Sequence, residues 1–157
     1  YEDEVCLCIL DTNPVSPGHA LIVPKSHYPC VEATPPDVIA AMCTKVPLIS
    51  SAIMKATGAD SFNLLVNSGA AAGQVIFHTH IHIIPRKARD CLWTTESLRR
   101  RPTNFDHEAT KLADSVREHL SKVPGEVNSL PSNLPEPRLA GSVECKPYEN
   151  EHARKDA

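Results

Sequence analysis

Along residues 1–122, apolar and polar positions recur with periods that predict regular elements. "EVCLCIL", residues 4–10, is apolar and reads as a strand. "DTNPVSPG", residues 11–18, gathers Asp, Asn, two Pro and Gly, the residues of a turn. "HALIVPK", residues 19–25, is a second short strand, and "SHYPCVEATPP" a loop. "TPPD" has the form of a helix start, with proline in the first turn. Val38, Met42, Val46, Ile49 and Ile53 then repeat at helical spacing, and Gly58 stands where a left-handed C-cap belongs. This predicts a helix over 36–57, kinked at Pro47, whose apolar stripe serves core or dimer packing. "SFNLLVN" predicts a third strand, "SGAAAGQ" a small-residue loop, and "VIFHTHIHIIP", residues 75–85, a long fourth strand. A second, amphipathic helix is expected at 105–122. After Val123 the periodicity stops, and the remaining residues carry five of the chain's 14 prolines. Residues 1–122 therefore form the expected domain and 123–157 a Pro-rich tail, expected to be disordered. The pattern is α+β: an antiparallel sheet of about five strands with one long and one C-terminal helix.

Composition narrows the classes. The chain has 157 residues, 41% apolar and 22% charged, which suits a globular domain with a real core. Its net charge of −3 supplies no electrostatic pull toward nucleic acid or an anionic membrane, so neither is an expected partner. The uninterrupted apolar runs fall short of the roughly 20 residues a bilayer span needs. Six cysteines stand at 6, 8, 30, 43, 91 and 145 without a C-x-x-C pair, several in apolar segments. Free thiols in a reducing compartment, the cytoplasm, are the expectation. No methionine opens the chain and strand character begins by residue 4, so an upstream segment is expected.

The candidate chemistry lies in "FHTHIHIIPR". His78, His80 and His82 occupy alternate positions. On a strand they would share one face, while Phe77, Thr79, Ile81 and Ile83 turn into the core. At about 3.3 Å per residue, His78 and His82 stand roughly 13 Å apart along the backbone, so the three do not converge on one atom. Three readings compete: a His-rich polar face; an H-x-H metal site lacking obvious Cys or carboxylate ligands nearby; and nucleophilic catalysis by one imidazole whose other N–H is held by an acceptor. The loop "NSGAAAGQ" favours the third. Its small residues let backbone N–H groups approach an anion, and an anion cradle beside a nucleophile points to phosphoryl or nucleotidyl transfer. Neither G-x-x-x-x-G-K-[ST] nor G-x-G-x-x-G occurs.

These residues resemble a known family. "GQVIFHTHIHIIPR" is similar to the histidine-triad (HIT) signature, His-φ-His-φ-His-φ-φ with φ apolar, and "DTNPVSPGHALIVPKSHY" resembles the upstream half of that domain. The flavour is that of the Hint-type nucleotide-binding branch found in plants, whose members act on adenosine 5'-phosphosulfate and adenosine phosphoramidate. The resemblance implies a HIT-like sheet and a homodimer. It also implies an adenine nucleotide substrate and a covalent adenylyl-histidine, from which water releases AMP or phosphate releases ADP. His80 would be the nucleophile, His82 would contact the phosphate and leaving group, and His78 and His19 would be supporting histidines that arrange His80, through the strand backbone among other contacts. Asp11 would bind the ribose hydroxyls, with Ile9, Leu10 and Thr12 near the nucleoside. Asn67, Gly73, Gln74 and the Val75 backbone would hold the phosphate. His27 reads as a surface residue, and His107, His119 and His152 carry no assigned role. Where many members have Ser or Thr this chain has Val75, which bears on the leaving group. Some relatives bind zinc through a C-x-x-C pair and two histidines, at the positions of His19 and His78. Here no cofactor is expected, and zinc only if further ligands lie upstream of Tyr1. A peroxisomal location would require an upstream signal. The alternatives are a dinucleoside polyphosphate hydrolase and a non-catalytic nucleotide-binding adaptor.

Overall fold

The computed structural model describes residues 1–92 and 107–122. Four strands form one antiparallel sheet: β1 (Cys6–Leu10), β2 (Ala20–Pro24), β3 (Ser61–Leu65) and β4 (Ile81–Arg86), in the order β1-β2-β4-β3. The long helix α1 (Pro36–Thr57) lies between β2 and β3 in sequence. A second helix, α2 (His107–Ser121), belongs to a separate compact unit. It has the expected amphipathic stripe, with Leu112, Val116 and Leu120 exposed. The tail expected at 123–157 lies outside the described residues.

The first strand pair is a hairpin across the Pro/Asn turn, in register from Cys6↔Pro24 to Leu10↔Ala20. The turn closes with Asp11 N–H donating to His19 O at 2.9 Å, while the Asp11 carboxylate accepts from Asn13 N–H at 2.8 Å, an Asx turn. β4 is central, pairing Ala20↔Ile83 with β2 and Leu65↔His82 with β3. Alternation along the strands puts Ile22, Ile81 and Ile83 on one face, where Met42, Val46 and Ile49 of α1 cover them and Cys6 completes the core. The predicted apolar stripe of α1 is thus the core contact, with Val38 and Ile53 packed at its margin. Pro36 occupies the first turn, and Gly58 (φ 63°) ends the helix, its N–H bonding Met54 O. Pro47 lies within the helix, which continues through it. By length and composition α1 is also apolar enough to cross a membrane, contrary to the expectation from the uninterrupted runs. Its packed stripe makes it the core helix of this sheet.

Three expectations need correction. Among the described residues the sheet has four strands rather than about five. The fourth strand starts at Ile81, not near Val75. Register explains this: β2 and β3 reach only to Ile81 and His82 on β4, so residues 77–80 have no ladder partner. Thr79 N–H instead donates to Tyr28 O at 2.7 Å. Phe77, expected in the core, is 55% exposed, whereas Thr79, Ile81 and Ile83 are buried as expected.

Candidate active site

A cleft of about 460 Å³ opens on the sheet, within the size range of small-molecule sites. It is lined by Ile9, Leu10, Asp11 and Thr12 from the end of β1 and its turn, by Asn67, Gly73 and Val75 from the small-residue loop, and by His80 and His82. Nine of the twelve residues that the motif resemblance selected therefore meet in one place. His78, His19 and Gln74 do not line the cleft.

The three histidines of the row do not share a face. His82 alone is on β4, on the face opposite Ile81 and Ile83. His80 precedes the strand, its ring edge-on to that of His82 with centroids 4.6 Å apart. His80 Nδ1 lies 2.7 Å from the backbone carbonyl of His78. A carbonyl only accepts, so Nδ1 carries the proton and Nε2 presents a lone pair. His78 points elsewhere. Its Nε2–H donates to Pro24 O at 2.9 Å, and its Nδ1 faces Nδ1 of His27 at 2.8 Å, the two rings stacked. In the neutral pair His27 Nδ1–H donates to His78 Nδ1. His27 is exposed, as the sequence reading has it, yet its ring is paired with that of His78. The "P-K-x-H" end of the upstream motif was the signal for it.

His19, at 4% exposure, supports a different histidine from the one expected. Its Nδ1 accepts from Val15 N–H at 3.4 Å and stands 3.5 Å from the Asp11 carboxylate. Its Nε2 lies 2.9 Å from His82 Nδ1. The proton on His19 is then on Nε2, so His82 Nδ1 accepts and His82 Nε2 carries its own proton. That Nε2 is buried without a protein partner. A buried donor at a cleft wall is a place for an anionic oxygen. Burial, then the neighbouring His80 and His19, push the His82 pKa down to about 4, against a small opposing pull from Asp11. Burial also lowers the pKa of His19, again opposed by Asp11.

The small-residue loop is built on two glycines with φ of 86°, Gly69 and Gly73, flanking the 3₁₀ turn Ala70–Ala72. Gln74 is a correction. Its side chain is buried, with Oε1 accepting from Gly69 N–H at 2.7 Å and Nε2 donating to Pro29 O at 2.7 Å and Ile76 O at 3.0 Å. Those bonds occupy both of its N–H donors, so the amide staples the loop and is not free to hold a phosphate. Ser68 Oγ ties the same loop to the turn at 31–33, accepting from Val31 N–H and donating to Glu32. Val75, 82% exposed, projects at the cleft mouth with Ile76, a further lining residue that the sequence reading left unassigned.

His78 brings an imidazole nitrogen together with His27, not with His19, whose Nε2 meets His82 instead. Two ligands are half of a tetrahedral zinc set, and among the described residues no Cys or carboxylate joins them. The described cluster of three ligating side chains is Asp11, His19 and His82, where both His19 nitrogens already have partners. The described residues thus offer a metal one three-ligand cluster and one two-imidazole pair. The five described cysteines are free thiols, Cys6 buried and Cys43 and Cys91 exposed.

An antiparallel sheet backed by one long helix, carrying an oriented imidazole beside a glycine-built loop, defines a histidine-based α+β site. The HIT domain model matches residues 1–89, and the chain belongs to that family. It is 70% identical over 132 residues to adenylylsulfatase HINT3 of Arabidopsis thaliana, an alignment covering 84% of this chain and 67% of the relative. Among solved structures, a Streptococcus mutans UA159 protein superposes with a TM-score of 0.67 at 31% identity, covering 76% of this chain and 74% of the other. A hypothetical histidine triad nucleotide-binding protein from Sulfolobus tokodaii strain7 gives a TM-score of 0.55 at 38% identity, covering 77% and 81%. The chain thus spans about two thirds of the length of its adenylylsulfatase relative.

Proposed function

We propose that this chain is a nucleotidyl hydrolase that cleaves adenosine 5'-phosphosulfate, and related AMP esters and amides, through an adenylyl group carried on His80 Nε2. The observation that carries the reading is the 2.7 Å bond from His80 Nδ1 to His78 O, which leaves Nε2 as the nucleophilic atom. The Nε2 lone pair attacks the α-phosphorus, the bond from phosphorus to the bridging oxygen breaks, and sulfate leaves with the electron pair. The imidazolium charge of the adduct is shared with the His78 carbonyl. The unpartnered His82 Nε2–H meets a phosphate oxygen, and the Val75 backbone N–H is a further donor, those of Gly73 and Gln74 being taken by Ala70 O and Gly69 O. Water then attacks phosphorus and releases its proton to the medium, the P–N bond breaks, AMP leaves and His80 regains its lone pair; phosphate in place of water gives ADP. The similarity to a named adenylylsulfatase supports the substrate class. A homodimer belongs to this reading, because β3 is an edge strand that exposes Leu64 and Leu65.

The test is rapid-quench single turnover with adenosine 5'-phosphosulfate, adenosine phosphoramidate and a diadenosine polyphosphate. Wild type should form an acid-labile adenylyl adduct and release AMP, with the phosphosulfate fastest. His80→Ala should lose both by about a thousandfold or more. AMP release by His80→Ala at the wild-type rate defeats the nucleophile assignment. A faster diadenosine substrate moves the chain to the polyphosphate hydrolases, and tight AMP binding without turnover of any substrate makes it a binding module.

A further inference from the structure

We propose that Thr79 and Thr34 form a positioning pair that sets the orientation of His80, a role that rests on His80 being the nucleophile. Thr79 stands between two histidines at a position where the family signature is apolar, yet it is only 2% exposed, and Thr34 is 7% exposed. Their hydroxyls are 2.8 Å apart. Thr34 Oγ1–H donates to Cys30 O at 2.9 Å, so its oxygen accepts and Thr79 Oγ1–H donates to it. Both buried hydroxyls are thereby satisfied, in a chain that ends on Cys30, where the turn at 31–33 begins.

The consequence lies in the peptide unit between His78 and Thr79. Its N–H donates to Tyr28 O at 2.7 Å, and its carbonyl accepts from His80 Nδ1 at 2.7 Å. In a trans peptide these two groups point in opposite directions, so rotating the unit breaks both bonds at once. Residues 77–80 have no strand partner to resist such a rotation. The Thr79 hydroxyl is the side-chain bond that pins this stretch to 28–34. The same turn also holds the small-residue loop through Val31 N–H and Ser68 Oγ. The 28–34 segment therefore registers the nucleophile against the loop opposite it. Neither threonine lines the cleft, so loss of a hydroxyl should change the rate of adenylyl transfer more than the binding of nucleotide.

Thr79→Val keeps the shape and removes the hydroxyl. Thr79→Ser restores the hydroxyl, and Thr34→Val removes the acceptor from the other side should Thr79→Val fail to fold. Expected is a fall of about 10- to 100-fold in the single-turnover adenylylation rate for either valine variant, the scale on which small misplacements act. KM should stay within about twofold, Thr79→Ser should recover most of the rate, and the double valine variant should cost little beyond either alone. Nitrogen-15 spectra of the imidazoles should show His80 losing its single Nδ1–H tautomer in the valine variants. A folded Thr79→Val and Thr34→Val with the wild-type rate, or losses of rate that track thermal stability without rescue by serine, overturn the proposal. The tautomer readout is independent of turnover, so it separates this failure from failure of the His80 reading, which His80→Ala tests alone.

Discussion

His19 Nε2 lies 2.9 Å from His82 Nδ1, joining the turn after β1 to the central strand. Both imidazoles are neutral near pH 7, since burial holds each below its ordinary value, His82 at about 4. In the unfolded chain they titrate near 6.5, so between pH 6.5 and 4 the unfolded state binds more protons. Stability contributed by neutral His82 is therefore complete above pH 6.5 and lost as pH falls through about 4. Thermal unfolding of wild type and His82→Gln from pH 7 to 4 should show the wild type losing more stability over that window. Parallel curves would mean that His82 titrates normally in the fold.

Asp11 offers a carboxylate to the cleft while one of its oxygens accepts from Asn13 N–H. Asp11→Asn should weaken AMP binding by about tenfold and shrink the preference for AMP over 2'-deoxy-AMP, read by calorimetry. Removing the negative charge should also lower the His19 pKa further, because Asp11 now opposes the burial effect there. An unchanged deoxy preference would take the ribose contact away from Asp11.

Gln74→Ala leaves Gly69 N–H, Pro29 O and Ile76 O without their bonds. The expected loss is about 2–3 kcal/mol in denaturant unfolding, with KM rising more than kcat falls, since the loop rather than the nucleophile is released. A stable variant with normal KM would show the staple to be dispensable.

Gly18 has φ of 84°, and a Cβ there would sit 2.6 Å from Thr57 Cγ2 and 3.2 Å from Ile53 Cγ2. The turn that delivers His19 rests directly on the end of α1. Gly18→Ala should destabilise by about 2–4 kcal/mol, from left-handed strain plus overpacking. A wild-type midpoint in urea would mean that the turn can lift from the helix at no cost.

The long helix was legible because a stripe at 38, 42, 46, 49 and 53 has one period and ends at a glycine. The alternation at Ile81 and Ile83 was equally plain, and so was the turn at 11–18. The start of β4 was not, because a run of alternating residues states which faces it could bury, not where its neighbours stop. His78 reaches His80 through its backbone carbonyl, while its ring belongs with His27. Gln74 carried the mark of a phosphate ligand, but its amide faces three backbone groups from segments that only folding brings together.

By itself, the sequence determined the local backbone: helix, hairpin turn, glycine-built loop and a histidine at each alternate position. Those depend on periodicity and on φ preferences that act within a few residues. Tertiary structure decided which histidine answers to which. His19 meets His82 because β2 and β4 are paired in the register Leu21↔His82, across 63 residues of chain. His80 is oriented by a carbonyl that is free to face it because the ladder has ended one residue beyond, at Ile81. Register and the end of a ladder are properties of two strands at once, and no single stretch of sequence contains them.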